Sequence, residues 1–522
     1  MQEDSGANFA NATLSLKVID GLFRSANQSE QRLGIKLLAA TLKTDFFSSS
    51  YEFEFSARSR GYGLYPHTEQ ELQDWFTRCL QFTEPFITLD SSVGNDVRTV
   101  IVRAFRGLMV WGGQIDTLTR LAHSVVEARG FWPEGWAALR ETRMLNGKTL
   151  VPNSLADLGA LEDFLRPRNT TEMVRSVVLK EGGIYDDIDD LDDIESGLTR
   201  AIDRESAIIA RLAEEVAADA TAWQSLLPEL VASRSPKAGR FGEHLAQATQ
   251  TPRALWTTLV TRTAATSEPG ISILCGFLSG VQKNDASLAR EILDEALEDP
   301  VLGPWLPTLQ IGTLLDTEAL ARLHRSLDSG MAPVERYFGL AYGSVVDAIA
   351  EPELKRLLCR IAEIEGGHAV ARRVLVMRYF GDRSAERVIG DDLIETGRML
   401  LTGIRFSRAT ENLSREDYDL ALLARIALVG EGGRSIVQAL GRSLASAISR
   451  YEIHRYDYDD LVQALFEVHP TEMLDTLFAG DEISRRRSAE FLGELPRAGK
   501  APLSETPDDV VLAWCGREPS VR

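Results

Sequence analysis

Along most of the chain, apolar residues recur three and four positions apart, the period of one face of an α-helix. The stretch HTEQELQDWFTRCLQF is the cleanest case, with Leu72, Trp75, Phe76, Cys79 and Leu80 at i, i+3, i+4, i+7 and i+8. Thr68 and Glu71 precede them as a T-x-x-E capping box, in which each side chain can satisfy an amide that the first helical turn leaves free. The same period runs through Ile115, Leu118, Leu121, Ala122 and Val125, through Leu320, Leu323 and Leu327, and through Leu422, Leu423, Ile426 and Ala427. Short breakers separate these stripes, among them Gly112-Gly113, Pro252, Pro269-Gly270, Pro304, Gly366-Gly367, Gly432-Gly433 and Pro470. Helices of roughly 10–18 residues joined by tight polar turns build stacked helical hairpins. Between 250 and 480 the pairs return about every 35–45 residues, the range of HEAT and armadillo repeats. The pattern therefore predicts an all-α chain: an irregular α-solenoid of HEAT- or armadillo-like helical hairpins with one long loop insertion near the N-terminus. It divides into an N-terminal helical region over 1–180, an acidic helix with connecting helices over 181–250, and a helical-repeat region over 251–522.

The insertion, at 44–67, breaks the helical rule. Within LKTDFFSSSYEFEFSARSRGYGLYP, residues Tyr51 to Phe55 alternate aromatic and acidic side chains, the period of a short strand. Arg58, Arg60, Tyr62 and Tyr65 follow around a Gly61/Gly63 turn, and long loops in helical domains carry binding residues. These four are the candidate partner-binding residues. A cross-brace between helix pairs, with the aromatics packed inward, is the competing reading.

Chemistry is sparser. GGIYDDIDDLDDIESG places six aspartates within eight positions, and Asp186, Asp187 and Asp190 spell D-D-x-x-D, a pattern that holds magnesium against a diphosphate in all-α prenyl-transfer and terpene-cyclising enzymes. Yet Ile184, Ile188, Leu191, Ile194, Leu198 and Ile202 share one helical face, which leaves the aspartates as the wet side of a helix beginning near residue 186. The second ligand set such an enzyme needs is missing: NDVRTVIVR ends in Arg103 where a ligand belongs, and DDLVQALFE has Gln463 at the hydroxyl position. A magnesium-dependent diphosphate enzyme using the three aspartates is the alternative function.

Gly147-Lys148-Thr149 mimics the end of a phosphate-binding loop, but Thr142 stands at its first glycine position and a helical stretch precedes it. The tripeptide reads instead as a helix-terminating turn with Gly147 left-handed, followed by Pro152 in place of a helix. VGEGGRS, at 429–435, reads as a helix–helix turn. His123, His244 and His324 sit in helical stripes as structural histidines, and no H-E-x-x-H or G-x-S-x-G occurs. The arginines of RRVLVMRYFGDRSAER, at 372–387, read as a solvated face paired with nearby acids. No catalytic residue and no cofactor is assigned.

Composition narrows the classes further. The net charge of −20 repels phosphate backbones, so nucleic acid is not an expected partner. No run of 18 apolar residues suggests a membrane span, and the N-terminal residues have no secretion-signal core. Cys79, Cys275, Cys359 and Cys515 are scattered singly, which fits a reducing cytoplasm.

The insertion LKTDFFSSSYEFEFSARSRGYGLYP, with LEDFLRP at 161–167 and FGEHLA at 241–246, resembles the C-terminal helical region of large bacterial signal-transduction NTPases, a group that includes anti-phage defence systems. Such proteins place an effector and an NTPase module ahead of a helical-repeat sensor. The chain departs from a complete member in having no convincing Walker A motif, so no residue inherits ATP hydrolysis. The resemblance implies a sensor portion that recognises a protein, such as a phage component or a companion effector or NTPase module. The expected function is thus a non-enzymatic, cytoplasmic protein-recognition module.

Overall fold

Where apolar stripes alternate with breakers in the sequence, the chain coils into helices and turns. The structure, a computed structural model, describes residues 16–44, 68–179, 194–408, 413–493 and 506–517, and among these there is no strand. Two compact units divide it, Met1–Gly280 and Val281–Arg522. The first holds α1 (16–23), α2 (Gln28–Thr41), α3 (Glu69–Ile87), α4 (Ser92–Val110), α5 (Ile115–Arg129), α6 (Pro133–Asn146), α7 (Pro152–Leu165), α8 (Thr170–Val177), α9 (Ile194–Ala218), α10 (Ala220–Ala232), α11 (Pro236–Ala248) and α12 (Pro252–Ala264). The division falls within α13 (Ser272–Asn284). The second holds α14 (Ala286–Ala296), α15 (Leu306–Ile311), α16 (Thr317–Ser329), a 3₁₀ segment (Val334–Ala341), α17 (Glu351–Ala362), α18 (Gly367–Ser384), α19 (Asp391–Leu400), α20 (Leu413–Ala427), α21 (Glu431–Ser449), α22 (Asp459–Val468), α23 (Pro470–Leu477), α24 (Glu482–Gly493) and α25 (Asp508–Arg517).

Local chemistry explains many of the helix starts. The Glu71 amide donates to Thr68 Oγ1 at 3.2 Å, as the predicted capping motif requires. Asn27, Ser91, Asp219, Asp285 and Asp316 cap α2, α4, α10, α14 and α16 in the same way. The predicted stripe of α3 is the buried one: Trp75, Phe76, Cys79 and Leu80 are all in the core. At the far end of α3, buried Arg98 from α4 donates to the Ile87 and Leu89 carbonyls, which the helix itself leaves unpaired.

Within each unit, a helix packs on its neighbour in sequence and on the next but one. Side chains show that the alternate helices run parallel, as antiparallel hairpins stacked in register require. In the first unit, Thr77 donates to Gln114 at 2.9 Å and, farther along, Arg129 pairs with Asp90 at 3.0 Å. In the second, α14 and α16 are joined by Arg290–Asp316 and then Arg322–Asp294. The Gly390 amide donates to Glu351 ahead of the Lys355–Asp392 pair between α17 and α19. Asp417 meets the Leu461 amide ahead of the Arg425–Glu467 pair between α20 and α22. These bonds span 39 residues (Glu351 to Gly390) and 44 residues (Asp417 to Leu461), inside the range predicted from the breakers, and 28 residues between Asp294 and Arg322.

Such stacking buries an apolar seam within each unit. In the first unit a core cluster runs from Ile19 to Leu165, and in the second from Leu320 to Leu492. Each fully buried Leu or Phe contributes about 1.5–3 kcal/mol of transfer free energy, so these seams hold the hairpins together. The fold is an all-α solenoid of irregular repeats, as the hydrophobic pattern predicts.

Candidate functional site

The partner-binding candidates Arg58, Arg60, Tyr62 and Tyr65 lie outside the described residues, as do Asp186, Asp187 and Asp190 and the strand expected at 51–55. The helix expected from about residue 186 is described from Ile194 onward, as α9. Among the described residues, no group of three His, Cys, Asp or Glu side chains is placed to hold a metal ion.

Two details around Lys148 correct the sequence reading. Gly147 has φ −56° and ψ −33°, a right-handed conformation where a left-handed one was expected. Its glycine is required by space, because a Cβ would overlap the Arg143 carbonyl oxygen. Pro152 opens α7 at its first position, where a missing amide costs nothing. The phosphate-loop context still fails, since α6 and not a strand leads into Gly147. The turn expected at 429–435 is shorter than that: it spans 428–430, with Gly430 at φ 79°, and Glu431 already opens α21.

The histidines divide. His123 is exposed and stacks on Phe164 with ring centroids 3.9 Å apart. His244 lines a cleft of about 600 Å³ with Glu214, Gln247 and Thr251. His324 departs from the satisfied structural role expected of it: its Nε2 is buried without a hydrogen-bond partner. Burial, and then Arg360 and Arg356, depress its pKa, so it stays neutral. His469, unremarked in the sequence, is buried and bridges the Leu428 and Gly430 carbonyls through Nε2 at 2.8 and 3.1 Å.

Four of the five arginines of 372–387 are paired with acids, as expected, but Arg378 is buried and Arg372 and Arg373 are half-buried, not solvated. Arg378 is 6% exposed, holds Asp382 through Nε at 2.9 Å, and donates to the Val346 and Ile349 carbonyls. Arg387 adds a second cation to Asp382 and reaches Asp347. This network ties the connector before α17 to the end of α18. Arg372 pairs with Glu416 at 2.9 Å and Arg373 with Asp419 at 2.8 Å, joining α18 to α20.

Those two pairs lead to the surface with the best-formed arrangement of recognition chemistry. Helices α18, α20 and α22 lie side by side, α20 packed on both of the others. Eight of the fifteen positions of α20 are buried, while Ser414, Arg415 and Tyr418 are exposed and Arg425 is half-buried. Tyr418 is 45% exposed and lies flat against Phe380 of α18, centroids 6.1 Å apart and planes 10° apart. Two turns on, Arg425 forms a two-pronged pair with Glu467 of α22, Nε to Oε2 at 2.6 Å, and Gln463 steadies the same carboxylate at 3.0 Å. The bond to Glu467 holds the Arg425 guanidinium pKa above its usual value. An aromatic plate and an oriented guanidinium on rigid helices are the residue types that dominate protein interfaces.

Beneath this face sits Asp417, 6% exposed, whose carboxylate accepts the Asp460 and Leu461 amides at 3.1 and 2.8 Å. It caps α22 from the neighbouring repeat, where Tyr458 at the cap position offers no side-chain bond. Burial pushes its pKa up to about 7 against the pull of the two amides, with Asp460 and Asp459 adding to the rise.

The sequence pattern passed over Tyr418, Phe380, Arg425 and Glu467. The signal was there in part: in LSREDYDLALLARIA, Tyr418 and Arg425 stand seven apart, two turns along one helical face.

No family model and no curated protein matches the chain. A solved structure described as a "circular tandem repeat protein with novel repeat topology and enhanced subunit contact surfaces" is similar at 14% identity, covering 99% of this chain and 92% of that one. Its TM-score is 0.17, too low to bear on either fold or function.

Proposed function

We propose that the chain is a protein-recognition module whose α18/α20/α22 face binds the partner. A row of stacked hairpins offers an extended rigid surface, and binding to such a surface requires little ordering of the receptor. The observation that carries the reading is the Phe380–Tyr418 plate beside the Arg425–Glu467 pair, an exposed aromatic and a guanidinium both held in fixed orientation on packed helices. The finer reading, a sensor portion of a bacterial anti-phage defence NTPase, rests on the sequence resemblance alone. It makes the partner a phage component or a companion effector or NTPase module.

A photo-crosslinking side chain placed at 418 or 425 in phage-challenged cells tests this. The same partner should be captured at both positions, not from a control at Glu395 on α19, and Tyr418→Ala should abolish its capture from 425. Equal capture from all three positions, or undiminished capture in the Tyr418→Ala background, overturns the assignment.

A further inference from the structure

The last helix of the second unit is attached unlike the others. α25 contributes no buried residue, whereas even short α23, against which it lies, buries five. Its main anchor is Trp514, which packs on Phe478 with centroids 5.4 Å apart at 54° and donates its indole N–H to Asp475 Oδ1 at 2.7 Å. Three residues on, Arg517 approaches the same carboxylate at 3.9 Å. Val511 and Cys515 are half-buried beside Trp514, while Leu512 on the opposite side is 70% exposed. Ahead of the helix, Thr506 is buried with its hydroxyl unpaired.

A contact of this design is that of a bound peptide. One aromatic fills a shallow apolar spot, its N–H fixes the orientation, and a cation at i+3 reads the same acid; these are the anchors by which a short amphipathic helix lies in a groove. Asp475 and Phe478 are themselves spaced at i and i+3, so the two helices match anchor for anchor.

We propose that the Asp475–Phe478 face of α23 is a helix-docking site and that α25 is its internal, displaceable occupant. The kind of ligand it fits is a helix presenting Trp and Arg three residues apart. Docked α25 covers the site, and a partner helix of the same chemistry gains access by displacing it. This site is separate from the α18/α20/α22 face and stands or falls independently of it.

The test uses the full chain and a fluorescent peptide of residues 506–517. Binding is followed by anisotropy for wild type, Trp514→Ala and Trp514→Ala/Asp475→Ala, and thermal melts confirm that each is folded. Trp514→Ala vacates the site, so the peptide should bind it at least tenfold more tightly than wild type, and the double variant should lose that gain. A peptide carrying its own Trp514→Ala change should not bind. Hydrogen exchange supplies a second readout: α25 amides should exchange far faster than those of α23 in wild type, and Trp514→Ala should leave α23 protection unchanged. Equal or absent binding to all folded variants overturns the proposal, as does loss of α23 protection in Trp514→Ala, which would make α25 an integral part of the fold. A wild-type dimer that excess peptide dissociates would also overturn the proposal, because the occupant would then be α25 of a second copy and not an internal one.

Discussion

Two helix contacts, one in each unit, solve the same problem by opposite means. α11 and α13 meet through glycine: Gly239 and Gly242 on one, Gly276 and Gly280 on the other, with the backbones so close that a Cβ on Gly276 would overlap the Gly239 carbonyl. A Cβ on Gly242 would come within 2.5 Å of the Ile273 carbonyl oxygen. α20 and α22 pack through buried leucines and add polar side chains at both ends, Asp417 on two amides at one and Arg425 on Glu467 at the other. The glycine contact gains dispersion over a long backbone seam and has no room for a side chain at Gly242, Gly276 or Gly280. The polar contact tolerates change at its rim, because exposed ion pairs hold little energy, and it leaves oriented side chains at the surface. That difference explains why the candidate recognition face lies over the polar contact.

The comparison breaks first at Gly276. A Gly276→Val chain must push α13 off α11, and overpacking of that kind costs about 3 kcal/mol, read as a lower urea midpoint. If that variant unfolds at the wild-type midpoint, the glycine seam is not tight.

Asp417 gives the next largest effect, through pH. Its carboxyl titrates near 3.8 when unfolded and about 7 when folded, so the folded chain holds the proton more firmly. The stabilisation is complete below the unfolded value and is lost as pH rises through the folded one. At about 1.4 kcal/mol per pH unit, wild type should lose roughly 2.6 kcal/mol relative to Asp417→Asn between pH 5 and pH 8 in paired urea titrations. Parallel pH profiles for the two chains would show that the two amide bonds cancel the effect of burial.

At the rim the expected effect is small. A double-mutant cycle of Arg425→Ala and Glu467→Ala should return a coupling of about 0.5 kcal/mol, since both side chains are about a third exposed. A coupling of several kcal/mol would mark the pair as structural and weaken its assignment to recognition. Gly239→Ala should change least: its Cβ would lie 3.2 Å from the Ser272 carbonyl oxygen, and the helix-propensity gain of about 1 kcal/mol offsets the crowding.

Much of the fold was legible because helices are local. The stripe through Trp75, Phe76, Cys79 and Leu80 and the Thr68 cap need only their own neighbours in sequence, and both appear where the pattern places them. The Gly147 turn was misjudged because the energies separating right- and left-handed helix ends are small and depend on the following segment, here α7 opening at Pro152. Arg378 was read as solvated because nothing in its own helix announces the Val346 and Ile349 carbonyls that bury it. The candidate face was only half legible: the seven-residue spacing of Tyr418 and Arg425 is in the sequence, while their partners Phe380 and Glu467 are 38 and 42 residues away.

By itself, then, the sequence determined an all-α chain of stacked hairpins, because apolar period, caps and breakers act over a few residues. Tertiary structure alone decided which charges are buried and clamped, which glycines are indispensable, and which aromatics face outward. Those outcomes depend on the register between helices some 28 to 54 residues apart, as the Arg322–Asp294 and Arg175–Glu229 pairs mark it, and register is fixed only when whole hairpins pack.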